Sequence, residues 1–345
     1  MQAAQATEPS TLVPLSRGCK QAVLVGDHHQ LPPTIVSRAA ELEGAGISLF
    51  ERLANAGVAT QLLDTQYRMH PAICVFPATY FYGGQLKSSE GLNSTSRPIP
   101  PGFHWPKHEW PIAFISTNDD AMETSVGNSY ANYVEARMVA EVVSGVLGSG
   151  WGTRCPSSGR TVAPGVSASI GVIAPYKAQV DALRQALLAV LTPQAMSAVE
   201  ISSVDGFQGR EKELIVFSAT RANSGGRVGF VSDWRRLNVT LTRARSGLIV
   251  VGHAATLEQE PMCLRAWVQW ARTAGVLIGK PDLPAPVFAP IQAPMLSAPM
   301  YQHPPLVWQL PSQHLQMVPP LRPAAVSLPL DNRKRSRDSY DAAVY

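Results

Sequence analysis

Apolar positions along this chain fall into two kinds of run. Short, nearly uninterrupted runs recur at QAVLVGD (21–27), TQLLDTQ (60–66), IAFIST (112–117), SIGVIAP (169–175), VEISSVD (199–205), ELIVFSAT (213–220) and SGLIVVG (246–252). Several lack the alternation of a half-exposed strand and suit strands covered on both faces, as in a parallel sheet. Between them, ISLFERLANAG, NSYANYVEARMVAEVVSGVL and YKAQVDALRQALLAVL read as helices. In the second, Tyr133, Ala136, Val139, Val143 and Val146 follow three- and four-residue steps and define one face. A fourth helix is expected over 235–245, closed by Gly247. It would set Arg236, Thr240 and Arg243 on one face, beside an apolar stripe of Leu237, Leu241 and Ala244. Strand, helix, strand in repetition predicts an α/β, doubly wound parallel sheet.

Two stretches break this rhythm. Residues 88–111 are rich in Ser, Pro, Gly and Trp and read as loop, and residues 149–168 read as a surface insertion. The tail from 281 differs in kind. Its 65 residues hold 13 of the 29 prolines, with almost no charge before NRKRSRD (332–338). With neither periodicity nor a core-forming pattern, it is expected to be disordered or extended. It could act as an arm for protein partners, and its basic cluster at 333–337 could serve nuclear import or be solvated charge.

Composition narrows the class further. The 345 residues are 45% hydrophobic and 16% charged, with a net charge of +4, which is compatible with a polyanionic partner. Four widely separated cysteines form no CxxC, so reduced thiols in cytoplasm or nucleus are expected and no metal site is assigned. No apolar run approaches the ~20 residues of a membrane-spanning helix, and no membrane partner is expected.

Four polar stretches carry candidate chemistry. In VLVGDHHQLPP (23–33) a strand end runs into a polar turn. Gln30 there can both donate and accept, which suits it to sense a phosphate or orient a water. The alternative is a strand-end turn in which Asp27 satisfies local amides. His28 and His29 diverge on such a turn and make a poor metal pair. In LLDTQYRMHPAI (62–73), Tyr67 offers a flat face for a nucleobase and Arg68 a planar fork for phosphate. A helix should begin at Pro71. The alternative is an aromatic–Arg pair tying a loop to the core. In VDGFQGREKELIVF (204–217), Gly206 and Gly209 permit close backbone approach beside a charged cluster. In WRRLNVTLTRARSGLIVVG (234–252), arginines lie between two core strands. One face must therefore meet a cleft or an interface, which favours anion binding by Arg243.

Taken in order, these stretches resemble the Upf-type (up-frameshift) branch of the superfamily 1 nucleic-acid helicases, which includes Sen1-like and immunoglobulin-mu-binding relatives. GDHHQLPP is similar to motif III of that family, QYRMHP to motif IV, GVIAPYKAQ to motif IVa, SVDGFQGREKE to motif V and RRLNVTLTRAR to motif VI. The resemblance spans residues 1–280 and implies RecA-like domains, ATP with Mg²⁺ as nucleotide, and single-stranded RNA or DNA as partner. It implies that Gln30 links the γ-phosphate to cleft movement, and that Arg68 and Arg243 contact that phosphate. Tyr67 would stack on the base and Glu211 would bind the ribose, with Gln5 and Gly209 completing the nucleotide side. Pro175, Tyr176 and Ser203 would lie on the nucleic-acid track.

The resemblance also divides the chain. Residues 1–62 match the end of a first RecA-like domain, 63–280 a second, and 281–345 the tail. Where the family carries an acidic pair in DEAxQ, this sequence begins MQAAQ, and no GxxxxGK[ST] loop occurs anywhere in it. The expectation is the C-terminal part of a helicase that does not hydrolyse ATP by itself and whose first 62 residues expose strand edges. The competing expectation is a non-catalytic, helicase-derived module that binds nucleic acid or protein.

Overall fold

The computed structural model describes residues 2–93, 95–151 and 170–279. The proline-rich tail, its basic cluster and most of the 149–168 stretch lie outside the described residues. The chain enters through a single turn at Ala3–Gln5 and three short helices, α1 (Glu8–Leu15), α2 (Arg38–Leu42) and α3 (Leu49–Asn55). Next come β1 (Thr65–Gln66), α4 (Pro71–Tyr80), β2 (Lys87–Ser88), β3 (Ile112–Ser116), β4 (Thr124–Val126) and β5 (Ser129–Ala131). The main body follows: α5 (Tyr133–Gly148), β6 (Ile170–Ala174), α6 (Lys177–Val190), α7 (Pro193–Met196), β7 (Val199–Ser203) and β8 (Lys212–Ser218). It closes with α8 (Trp234–Leu241), β9 (Ala244–Gly252), α9 (Ala254–Leu257), α10 (Cys263–Thr273) and β10 (Leu277–Gly279).

Six strands form one sheet in the order β10-β3-β9-β8-β6-β7, every neighbouring pair parallel. The continuous apolar runs are explained by what covers the two faces. In β3, Ile112 and Phe114 join a core shared with α4, α8 and α10, whereas Ala113 and Ile115 join a core shared with α5 and α6. Both sets are buried, so no position needs to be polar. Each such Ile or Phe contributes ~1.5–3 kcal/mol through burial.

The face read from α5 is present, with Ala136, Val139, Val143 and Val146 buried, although Tyr133 at its margin is exposed. The helix expected at Pro71 begins there, with His70 as its N-cap. Among the described residues no helix is long and apolar enough to cross a membrane.

Three local expectations are overturned. Residues 21–27 form no strand: Val25 C=O accepts from Ala3 N–H at 2.7 Å, and Val23 and Val25 are 88% and 66% exposed. An apolar run becomes a strand only where a neighbouring strand accepts its ladder. The run at 60–66 shrinks to Thr65–Gln66, paired with Lys87–Ser88. The helix read over 235–245 stops at Leu241 because the next residues join the sheet: Arg243 C=O accepts from Lys212 N–H, and Ala244 starts β9. Arg243 therefore lies beyond the helix rather than on one face with Arg236 and Thr240. Gly247 is no helix cap either. It lies within β9, where a Cβ would come within 3.0 Å of Pro100, Leu214 and Trp105.

Candidate functional site

Four of the five motif stretches reach the amino-terminal ends of β8 and β9, where Lys212 lies beside Ala244. Arg243 is the centre of this cluster. Its guanidinium is 2% exposed and donates to Val239 C=O at 2.9 Å, Thr242 Oγ1 at 3.0 Å and, at 3.4 Å, Gln30 Oε1. Among the described residues no carboxylate lies in ion-pair range of it. Burial, followed by the positive charge of Arg68, pulls its pKa down to about 10. A buried cation without a paired anion is costly, which marks the position as one that an incoming anion would relieve.

Arg68 stands beside it. Its Nη1 donates to Thr242 C=O at 3.0 Å, and its Nε meets Glu211. Glu211 also accepts from Arg245 Nη1 at 2.8 Å. Burial pushes the Glu211 carboxyl up, but Arg68 and Arg245 outweigh it and hold the carboxyl below its ordinary range. Glu211, implied as a ribose ligand, is thus already engaged by two arginines. Gly209 precedes it with φ +77°, a conformation that favours glycine. Gly209→Ala should cost about 1 kcal/mol in a urea melt, since the added Cβ meets nothing within 4 Å and only the backbone resists it. Tyr67 is 69% exposed, with its ring free to take a flat ligand.

Gln30 is held from below. Its Nε2 donates to Asp27 Oδ2 at 2.8 Å, and the same oxygen accepts from Tyr82 Oη at 2.7 Å. Asn238 Nδ2 donates to Tyr82 Oη at 3.1 Å and to His29 C=O at 2.7 Å. Asp27 also accepts from His29 N–H, as the turn reading expects. Arg235 pins the same loop through His28 C=O and Glu51. Gln5 ends the Ala3–Gln5 turn, which packs on Gly26: a Cβ there would lie 2.7 Å from Ala4 N.

The other three residues lie elsewhere. Ala174 and Ser203 are register partners at the carboxyl ends of β6 and β7, the opposite edge of the sheet. Pro175 is buried and shapes the turn into α6. Ser203 Oγ accepts from Gly206 N–H at 3.2 Å. Tyr176 is partly buried, with its hydroxyl fully engaged.

Sequence reasoning missed Tyr82, Asn238, Arg221 and Glu123. Asn238 lies inside RRLNVTLTRAR and could have been suspected as a polar residue in an apolar helix. Tyr82 and Glu123 sit in stretches without any local signal.

A parallel RecA-like sheet with two arginines and a supported glutamine at one edge defines an α/β domain of the P-loop nucleoside-triphosphatase type. The comparisons agree. A family model described as an AAA domain matches residues 45–255, and a second of the same description matches residues 2–38. The chain is 38% identical over 268 residues to the probable helicase MAGATAMA 3 of Arabidopsis thaliana, covering 76% of this chain and 30% of that protein. It is 38% identical to the regulator of nonsense transcripts 1 homolog of Drosophila melanogaster, covering 75% and 21%. To the ATP-dependent helicase NAM7 of Saccharomyces cerevisiae it is 37% identical, covering 75% and 25%. The chain belongs to the Upf-type superfamily 1 helicases, and it spans less than a third of the length of these curated relatives.

Proposed function

We propose that this chain supplies one wall of an ATP-binding cleft, and part of the nucleic-acid track, in a helicase that moves along single-stranded RNA or DNA. The observation that carries the reading is Arg243, a buried guanidinium without a carboxylate partner among the described residues, adjacent to Arg68 and within reach of Gln30. Both arginines would neutralise charge on the transferred γ-phosphate, a contribution worth roughly 10³–10⁵ in rate for arginine fingers. Gln30, braced by Asp27, would report the presence of that phosphate to the loop. Tyr67 would stack on the base. Glu211 would reach the ribose once it releases one of its arginines.

Among the described residues no group of three or more His, Cys, Asp or Glu side chains could hold a metal ion. Five similar proteins, the Drosophila melanogaster one among them, are named regulators of nonsense transcripts 1 or homologs of it, which favours RNA as the strand and transcript surveillance as the task.

Phosphoryl transfer depends on positioning from both sides of the nucleotide, and the sequence holds no GxxxxGK[ST] stretch. We therefore expect the purified 345-residue chain to bind a single-stranded oligonucleotide without hydrolysing ATP. Phosphate release with and without oligo(U) tests this. RNA-stimulated turnover near ~1 s⁻¹ would overturn the proposed inactivity. Absence of oligonucleotide binding at low salt would overturn the track.

A further inference from the structure

The carboxyl edge of the sheet contains a second polar construction that the phosphate site does not use. It centres on the hydroxyl of Tyr176, which has three partners. Tyr176 Oη accepts from Arg221 Nη1 at 3.1 Å and from the Phe230 backbone N–H at 3.1 Å, and donates to Val228 C=O at 3.2 Å. Both lone pairs and the proton are thereby committed. A tyrosine hydroxyl engaged this completely is unavailable to a ligand, so its task is internal: it ties the turn before α6 to the loop over residues 221–230.

The partner of that hydroxyl is built with equal specificity. Arg221 is buried, and its fork meets the Glu123 carboxylate with Nε at 2.9 Å and Nη2 at 2.8 Å. Its guanidinium carbon lies 4.2 Å from the Tyr130 ring centre, and Tyr130 meets Tyr176 edge-on at 5.4 Å. The residue before it, Thr220, adopts φ +70°, a conformation rare for a β-branched side chain. Its N–H is held at 2.8 Å by Glu135, which also accepts from Ser218 Oγ at 2.6 Å. Opposite the pair stands Gly229, with φ +56°. A Cβ there would lie 2.6 Å from Arg221 Nη1 and 3.0 Å from Tyr176 Oη. A strained backbone, a buried ion pair and a glycine that cannot be larger thus converge on one hydrogen bond.

We propose that Arg221, oriented by Glu123 and admitted by Gly229, is a positioning residue that sets the ring of Tyr176 for stacking against a base of the bound strand. This rests on the reading of Tyr176 as part of the nucleic-acid track. Arg221 itself makes no phosphate contact, because its charge is matched by Glu123. Its effect passes through ring orientation: stacking tolerates any base but requires the aromatic plane to be held at a fixed angle before the strand arrives. Arg236, whose guanidinium carbon lies 3.5 Å from the Phe230 ring centre, is paired with Asp205 and Asp233.

The test uses the full 345-residue chain and a 15-residue oligo(U), either end-labelled for anisotropy or carrying one internal 2-aminopurine whose fluorescence falls on stacking. Y176A should weaken binding roughly ten-fold. Y176F keeps the ring and loses only the hydroxyl, so it cannot unfold the buried ion pair. It should weaken binding about three-fold and reduce 2-aminopurine quenching by a similar factor. R221K should do the same. The double variant Y176F/R221K should be no weaker than the weaker single, because both break the same Arg221–Tyr176 hydrogen bond through which the effect on binding passes. If Y176A binds like the parent chain, the track reading fails. If Y176A weakens binding but Y176F and R221K keep full affinity and quenching, the track stands and the positioning role is overturned. Additive losses in the double variant would also overturn it. Urea melts on each variant assign any loss of binding to the folded state.

Discussion

Glu135→Gln should remove about 3–4 kcal/mol of pH dependence from the stability of this chain between pH 5 and pH 8. Glu135 is fully buried at the start of α5, where its N–H is capped by Asn132 Oδ1. Its carboxyl crosses to β8 to accept from Ser218 Oγ and Thr220 N–H. Burial raises its pKa to about 8 from an ordinary value of 4.5, and those two hydrogen bonds oppose the rise only in part. A raised folded-state pKa means that the group's contribution is fully present below its unfolded pKa. That contribution is lost progressively as pH climbs toward the folded value. Glutamine keeps an oxygen for Ser218 and Thr220 and has no proton to lose. Urea unfolding of both proteins at several pH values should therefore give curves that diverge with pH, the parent losing stability relative to the variant. Glu123 and Glu211, whose pKa values are lowered, lose stability only on the acid side and do so equally in both proteins. Parallel curves would show that the carboxylate is ionised throughout and fully compensated by its donors.

Arg243→Met should make the isolated chain more stable, by about 1–2 kcal/mol. A pKa held at about 10 corresponds to a cost of ~3 kcal/mol for keeping this cation in the fold at neutral pH. Methionine fills similar volume without charge. Against the gain stand the hydrogen bonds to Val239 C=O and Thr242 Oγ1, worth ~1 kcal/mol each. Arg68→Met is the control. Arg68 is half-exposed and paired with Glu211, and its replacement should change stability by less than about 1 kcal/mol. Stabilisation at 243 and not at 68 is the mark of a residue retained for an anion rather than for the fold. Destabilisation of Arg243→Met beyond 1 kcal/mol would make Arg243 a structural strut of the α8–β9 junction.

Much of the parallel sheet could be read from the chain. Apolar runs at 112–117, 169–175, 213–220 and 246–252 became strands because each found neighbours and cover on both faces, and the run at 199–205 became the half-buried edge strand β7 beside β6. The run at 21–27 has the same local character and became no strand, because strand formation is a property of pairs. The helix read over 235–245 failed at its end for a related reason. Local periodicity continues through Ala244, but pairing of that segment with Lys212 and Leu214 outweighs one further helical turn. In the site, Gln30, Arg68 and Arg243 were legible because their motifs keep order and residue type. Tyr82 and Asn238, which brace the Asp27–Gln30 turn, and Arg221, which holds Tyr176, were not, because their partners lie tens of residues away or more.

The amino-acid sequence by itself determined the class of this protein. Hydrophobic spacing and residue chemistry are local properties, and together they specify a parallel α/β domain with arginines concentrated in its motif stretches. Only the tertiary structure decided which of those arginines is buried without a counter-charge and which is already paired. Only it placed the arginine cluster and Tyr176 at opposite edges of one parallel sheet. Burial and pairing depend on what the rest of the chain brings alongside, and no local pattern encodes that.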